Sequence, residues 1–160
     1  MTAPARIHPA KTQPAIYQKL AAFSTEVGQV GRDAGIDPRM SELIQMRASQ
    51  INGCAYCIRV HTKRALAVGE TVERLMMLPA WRESGLYSPR ERAALALAEA
   101  VTLIHDGNLP DDVYDEATSV FTPSEYTAVL WIAVAINAFN RVAVAGRYPV
   151  EPEDDGATQG

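Results

Sequence analysis

Apolar residues recur every three or four positions through most of the chain, and proline, glycine and aspartate or asparagine separate these periodic segments. Such spacing places apolar side chains on one face of an α-helix. It predicts helices over residues 15–30, 38–51, 54–68, 71–78, 89–105, 110–120 and 123–145. No segment shows apolar–polar alternation bounded by turn residues, so no strands are expected. We therefore predict an all-α, single-domain bundle of six or seven helices.

Several helix ends carry explicit signals. Asp37-Pro38 places an N-cap carboxylate before a proline at the first helical position. Ser88 and Thr122 are each followed by proline and, three residues on, by glutamate, which predicts a capping box at both sites. Gly69 and Gly146 are expected to end the helices that precede them.

The two ends of the chain differ from the periodic region between them. Residues 1–13 contain Pro4 and Pro9 and are expected to form an extended arm. Residues 149–160 are acidic and rich in proline and glycine, which predicts a disordered tail. Residues 14–148 are assigned to the helical domain. Within it, residues 129–136 are apolar nearly all round, which indicates either a central core helix or packing against another subunit.

Composition narrows the classes of function. A chain of 160 residues fits one domain, and 48% of its residues are hydrophobic, which is enough for a real core. The net charge of −4 argues against nucleic acid as a partner, because there is no basic stripe to neutralise phosphates. The longest apolar run is far shorter than the about 20 residues of a membrane span, and no signal sequence is evident. A soluble, cytoplasmic protein with no membrane partner is expected.

The two cysteines, Cys54 and Cys57, stand three apart, and His61 follows four residues later. On an α-helix these three positions fall within roughly 60° of one another. The unpaired amides and the dipole of a first helical turn favour a thiolate, and a thiolate is the nucleophilic and oxidisable form of cysteine. The spacing predicts a redox-active dithiol beside an imidazole that can move protons.

Glu42 is a candidate fourth member, although it lies on the preceding predicted helix. A hairpin about Asn52-Gly53 would bring its carboxylate near His61, where it would orient the imidazole. Other interpretations fit less well. A structural zinc site needs a second pair of ligands, and a c-type haem needs a histidine where Ile58 stands. Two buried cysteines acting only as small apolar side chains stay open as an alternative.

The pattern of Glu42, eleven residues, and then Cys54-x-x-Cys57-x-x-x-His61 resembles the motif of the AhpD-like alkylhydroperoxidases, within the carboxymuconolactone decarboxylase superfamily. The similarity extends over about residues 15–150 and includes the lead into the motif at 46–54. It implies an all-helical fold, a homo-oligomer such as a trimer or hexamer, and peroxidase or disulfide-reductase chemistry with no metal or other cofactor.

The resemblance also implies a role for each motif residue. Cys57 would be the peroxidatic thiol, which attacks a hydroperoxide and becomes a sulfenic acid. Cys54 would be the resolving thiol and proton donor that closes the disulfide, and His61 and Glu42 would relay protons. An external dithiol or disulfide reductant would then reduce the disulfide by exchange.

Two other functions stay open. One is a decarboxylase or hydrolase of the carboxymuconolactone type, although members of that type generally lack the cysteine pair. The other is a non-catalytic thiol redox sensor. Tyr56 is a departure from the motif, because some relatives have a second histidine there and tyrosine is not a base near neutral pH.

A few polar residues near the motif are ambiguous. Asn137, Asn140 and Arg141 interrupt the apolar helix and could line the thiol cavity, bond across a subunit contact or cap a neighbouring helix. Arg59 and Arg64 are expected on other faces of the motif helix than Cys57, as solvated or interface ion-pair groups.

Overall fold

The computed structural model describes residue 4 and residues 6–152. Within that part of the chain every regular element is helical, as the sequence predicts. The α-helices are α1 (Pro9–Thr12), α2 (Pro14–Asp33), α3 (Pro38–Ile51), α4 (Ala55–Ala67), α5 (Val72–Met77), α6 (Pro89–Thr102), α7 (Asp111–Val120) and α8 (Pro123–Gly146), with a 3₁₀ helix at Leu78–Ala80 after α5.

The predicted capping signals are confirmed. The Asp37 carboxylate accepts a hydrogen bond from the Arg39 amide at 2.7 Å at the start of α3. Ser88 and Thr122 each form a complete capping box with the glutamate three residues on. These local contacts satisfy amides that a helix N-terminus leaves unpaired, so they set where α3, α6 and α8 begin.

The prediction of an extended arm over residues 1–13 is wrong for part of that segment, because Pro9–Thr12 forms α1. Pro9 takes the first helical position, where its missing N–H costs nothing and its fixed φ favours the helix. Of the predicted disordered tail, residues 149–152 are described as non-helical chain, and residues 153–160 lie outside the described residues.

Helix α8 ends at Gly146, as predicted, but the left-handed residue that caps it is the next one. Gly146 is the last helical residue, and Arg147 takes the left-handed conformation, with φ of 47°. Gly146 is needed for another reason: a Cβ added there would lie 2.8 Å from both the Pro9 and Tyr148 side chains. The glycine therefore allows α1 and the chain after α8 to pack closely against the helix end.

Helix α8 lies at the centre of the bundle, which favours the core-helix interpretation of its apolar sequence. It packs against α2, α3 and α6, and Val129 is fully buried. Trp131 and Val144 nevertheless stay nearly half exposed on its outer side. The predicted homo-oligomer stays a prediction.

By length and composition alone, α8 could cross a membrane, with a mean hydropathy of 1.7 over its most apolar stretch. Half of that stretch is buried inside the protein, and the core helix of a soluble protein meets the same criteria.

Candidate active site

A tight hairpin between α3 and α4 positions the two cysteines. Asn52 ends α3, and Gly53 takes a φ of +63°, which a side chain would strain. The Cys54 amide then donates to the Ser49 carbonyl at 3.0 Å. Cys54 is the N-cap of α4, so the helix starts one residue after the predicted position, and its sulfur accepts from the Cys57 amide at 3.3 Å.

The sulfur atoms of Cys54 and Cys57 are joined as a disulfide, with the Cα atoms 5.3 Å apart. Both residues are buried, at 2% and 4% exposure. They pack against Ala48, Ile136 and Ala143, so α3 and α8 form the apolar back wall of the pair. A dithiol and a disulfide can therefore interconvert here between residues that the fold already holds side by side.

The side chains of His61 and Glu42 form a close polar pair. The His61 Nδ1 and Glu42 Oε2 atoms lie 2.7 Å apart, and the two side chains are 6% and 14% exposed. The hairpin therefore brings the Glu42 carboxylate to His61, as predicted from the sequence. A mostly buried carboxylate at this distance holds the imidazole in one orientation.

A cleft of about 640 Å³ opens onto this group between α2, α3, α4 and α8. Cys57, His61 and Glu42 line it, together with Tyr56. Cys54 does not line it and lies behind Cys57 in the apolar cluster. The two sulfur atoms therefore differ in access: a molecule in the cleft meets Cys57 first.

An amide network holds the hairpin from behind. Asn52 donates through Nδ2 to the Oδ1 atoms of Asn137 and Asn140, both at 2.9 Å. Asn140 in turn donates to Ser49 Oγ at 3.0 Å, and Arg141 donates to Asn137 Oδ1 at 2.9 Å. Of the interpretations left open, the one supported is capping of a neighbouring helix, because these groups bind the end of α3. The asparagines do not line the cleft.

A buried ion cluster joins α3 to α6 below the site, and sequence reasoning missed it. Glu99 accepts from Arg47 Nε at 2.6 Å, from Trp81 Nε1 at 2.9 Å and from Arg82. Burial alone would raise the pKa of Glu99, but these three donors outweigh it and lower the pKa below its ordinary value. Arg47, the neighbours Trp81 and Arg82, and Glu99 lie far apart in the sequence, so no local spacing could predict this cluster.

Aromatic side chains close the Tyr56 end of the site. Tyr56 is 39% exposed and meets Tyr148 edge-on, with ring centroids 5.4 Å apart. The His8 ring stacks on Tyr148, with ring centroids 4.0 Å apart. Burial raises the pKa of Tyr17 on the cleft wall, and the nearby phenols of Tyr148 and Tyr56 raise it further. Tyr56 therefore belongs to a phenol-rich wall of the cleft.

The two arginines of α4 have different surroundings. Arg59 donates to the Glu151 carbonyl at 2.6 Å and ties down the chain after α8. Arg64, expected on another face than Cys57, lines the same cleft. The expectation was wrong because residues seven apart make two nearly complete turns and return to the same side of a helix.

Within the described residues, no three histidine, cysteine, aspartate or glutamate side chains are grouped so that they could hold a metal ion.

Comparison with known proteins places these features in a family. A model of the carboxymuconolactone decarboxylase family matches residues 14–100, which include all four motif residues. The chain belongs to this family. Its fold also matches the crystal structure of a protein of unknown function from Agrobacterium tumefaciens, described as a "Putative Antioxidant Defence Protein AhpD". That match has a TM-score of 0.84 and 35% identity, and it covers 92% of this chain and all of the other.

Curated members of the family with similar sequences are uncharacterised. YdfG of Bacillus subtilis is 40% identical over 114 residues, which is 71% of this chain and 78% of YdfG. Rv2313c of Mycobacterium tuberculosis is 30% identical over 125 residues, which is 78% of this chain but 43% of that longer protein. The family and its AhpD-like branch are thereby shown, and the activity is argued from the site.

Proposed function

We propose that the protein is a thiol-dependent peroxidase and disulfide oxidoreductase, in which Cys57 reduces hydroperoxides and Cys54 closes the disulfide. One observation supports this most: Cys57 lines the cleft beside the His61–Glu42 pair, and Cys54 lies behind it at disulfide distance. A nucleophile that shares a cleft with a base, where the base is held by a carboxylate, fits the usual arrangement of an activated thiol.

The first step of the proposed reaction oxidises Cys57. The Cys57 thiolate attacks the terminal oxygen of the hydroperoxide, which keeps its hydrogen, the O–O bond breaks, and the departing alkoxide takes a proton from the His61 imidazolium. The sulfur is oxidised to a sulfenic acid, and the peroxide is reduced to an alcohol. Glu42 stabilises the imidazolium before the transfer.

The resolving step uses Cys54. As the Cys54 thiol loses its proton, its sulfur attacks the Cys57 sulfenic sulfur, the S–O bond breaks, and the leaving hydroxide takes up that proton and departs as water. The product is the Cys54–Cys57 disulfide. An external dithiol then returns two electrons by exchange through a mixed disulfide, and the front position of Cys57 makes its sulfur the accessible point of attack.

Two matched variants test the assignment. Cys57→Ser should abolish consumption of hydroperoxide in the presence of a dithiol, because Cys54 lies behind the cleft. Cys54→Ser should form the sulfenic acid once and stop, and a sulfenic-acid trapping reagent should label Cys57. Unchanged turnover by Cys57→Ser would reject the proposal. Activity on a carboxylated lactone that survives thiol alkylation would instead indicate a decarboxylase-type enzyme.

A further inference from the structure

The cleft is much longer than the reacting group needs. Tyr17 at one end of α2 and Tyr56 at the start of α4 line it near Cys57, whereas Arg32 and Val68 line it at the far ends of the same two helices. Cys57 and Arg64 are seven residues apart on α4, which is roughly 10 Å along the helix axis. A ligand filling this space extends well beyond a peroxide group.

The wall between those ends is mainly apolar. Val60 of α4 and Ile132, Ile136 and Phe139 of α8 line the cleft, and the small residue Gly28 of α2 leaves room opposite them. Such a wall favours the aliphatic part of a ligand, because burying apolar surface contributes about 25 cal/mol per Å².

The charge of the cleft is unusual for this chain. The protein is acidic, yet the charged side chains lining the cleft are two arginines and one glutamate. The glutamate, Glu42, is engaged with His61. Among the described residues, the Arg32 guanidinium hydrogen-bonds to the neutral side-chain amide of Gln29, at 2.7 Å, and to no carboxylate. The net positive lining therefore attracts an anion.

Arg64 differs from the other arginines of the chain. Every other one donates to a carboxylate, an amide oxygen or a carbonyl within the described residues. Arg64 has no such bond in the described part of the chain, although its side chain lines the cleft. A guanidinium offers paired donors that match a carboxylate.

We infer that the cleft binds an amphipathic carboxylate, whose acid group pairs with Arg64 and whose aliphatic chain lies against α8 and reaches Cys57. Combined with the proposed function, on which this substrate assignment rests, the substrate class is hydroperoxides of aliphatic carboxylic acids. Arg64 is the specificity-determining residue, and Arg32 adds positive charge farther along.

The first test compares a medium-chain ω-hydroperoxy carboxylic acid with its methyl ester. The wild-type protein should prefer the acid in kcat/KM by about twofold to fivefold, as expected for an exposed ion pair. Arg64→Gln should abolish the preference and Arg64→Lys should retain part of it. Lys19→Gln, which removes one exposed positive charge of α2 outside the cleft, should leave it intact. Equal rates with acid and ester in the wild type, or a preference that survives in Arg64→Gln, would overturn the inference.

A second test needs no peroxidase activity. Isothermal titration of the oxidised protein with decanoate should give binding that Arg64→Gln weakens about fivefold and Lys19→Gln does not, whereas methyl decanoate should bind more weakly to the wild type. If decanoate binds in this way but neither hydroperoxide is consumed, the proposed function fails and the carboxylate site stands. If both hydroperoxides react equally and decanoate does not bind, the site fails and the peroxidase function stands.

Discussion

Replacing Glu42 by glutamine tests whether the carboxylate beneath His61 contributes to the reaction. Glutamine keeps the size of the side chain and an acceptor oxygen but removes the negative charge that stabilises the imidazolium. The His61 Nδ1 and Glu42 Oε2 atoms are 2.7 Å apart and both side chains are mostly buried, so water cannot replace the lost charge well. Hydrogen bonds to charged groups contribute about 1.5–3 kcal/mol.

That free energy converts directly into a rate. At about 1.4 kcal/mol for each factor of ten, the second-order rate constant for Cys57 oxidation should fall roughly 10- to 150-fold in Glu42→Gln. The assay mixes reduced protein with hydroperoxide, stops the reaction with an alkylating reagent and quantifies free Cys57 by mass spectrometry. This single-turnover design isolates oxidation from reduction of the disulfide.

A matched control separates this effect from general loss of charge. Glu116→Gln makes the same substitution at an exposed position of α7, remote from the cleft lining, and should oxidise at the wild-type rate. Circular dichroism should show that both variants remain folded. A Glu42→Gln rate within twofold of the wild type would refute the reasoning that this pair carries the proton transfer.

Three further predictions concern the framework of the site. Asn52→Ala should lower the free energy of unfolding by about 2–3 kcal/mol in urea titrations. The substitution deletes two hydrogen bonds and leaves the buried amide oxygen of Asn140 without a donor. A loss below about 0.5 kcal/mol would contradict this. Gly146→Ala should cost about 1–3 kcal/mol in the same assay, since its Cβ would lie 2.8 Å from two side chains, and an unchanged unfolding midpoint would show that the contact relaxes freely. The lowered pKa of Glu99 stabilises the fold above the ordinary value of 4.5, and this stability is lost as the pH falls through the lower folded value. Glu99→Gln should therefore show a shallower loss of unfolding free energy than the wild type below about pH 4.5, and equal slopes would contradict the assignment.

Local signals in the sequence predicted much of the fold. The helix starts at Asp37, Ser88 and Thr122 depend on contacts within three residues, so they could be derived from spacing alone. Helix α1 and the close packing at Gly146 were not predicted, because they depend on contacts between the two ends of the chain. His8 stacks on Tyr148 across that contact, and no local pattern signals it.

The same distinction applies to the site. The positions of Cys54, Cys57 and His61 follow from helix periodicity, and the contact of Glu42 with His61 needed only the adjacent hairpin. The hydrogen bonds from Asn52 to Asn137 and Asn140 join α3 to α8 across more than eighty residues. The sequence therefore marked the two asparagines of α8 as candidates but could not identify their partners. Arg64 was misassigned through an error in helix geometry that simple periodicity corrects.

The central claim is that the two cysteines exchange electrons with a peroxide as a pair. The most direct measurement treats the fully reduced protein with one equivalent of hydroperoxide and maps the product by peptide mass spectrometry. We expect a loss of about two mass units in the peptide containing Cys54 and Cys57, as two-electron closure of a disulfide requires. A protein that keeps both thiols reduced, or that gains oxygen at other residues while this peptide is unchanged, would contradict it.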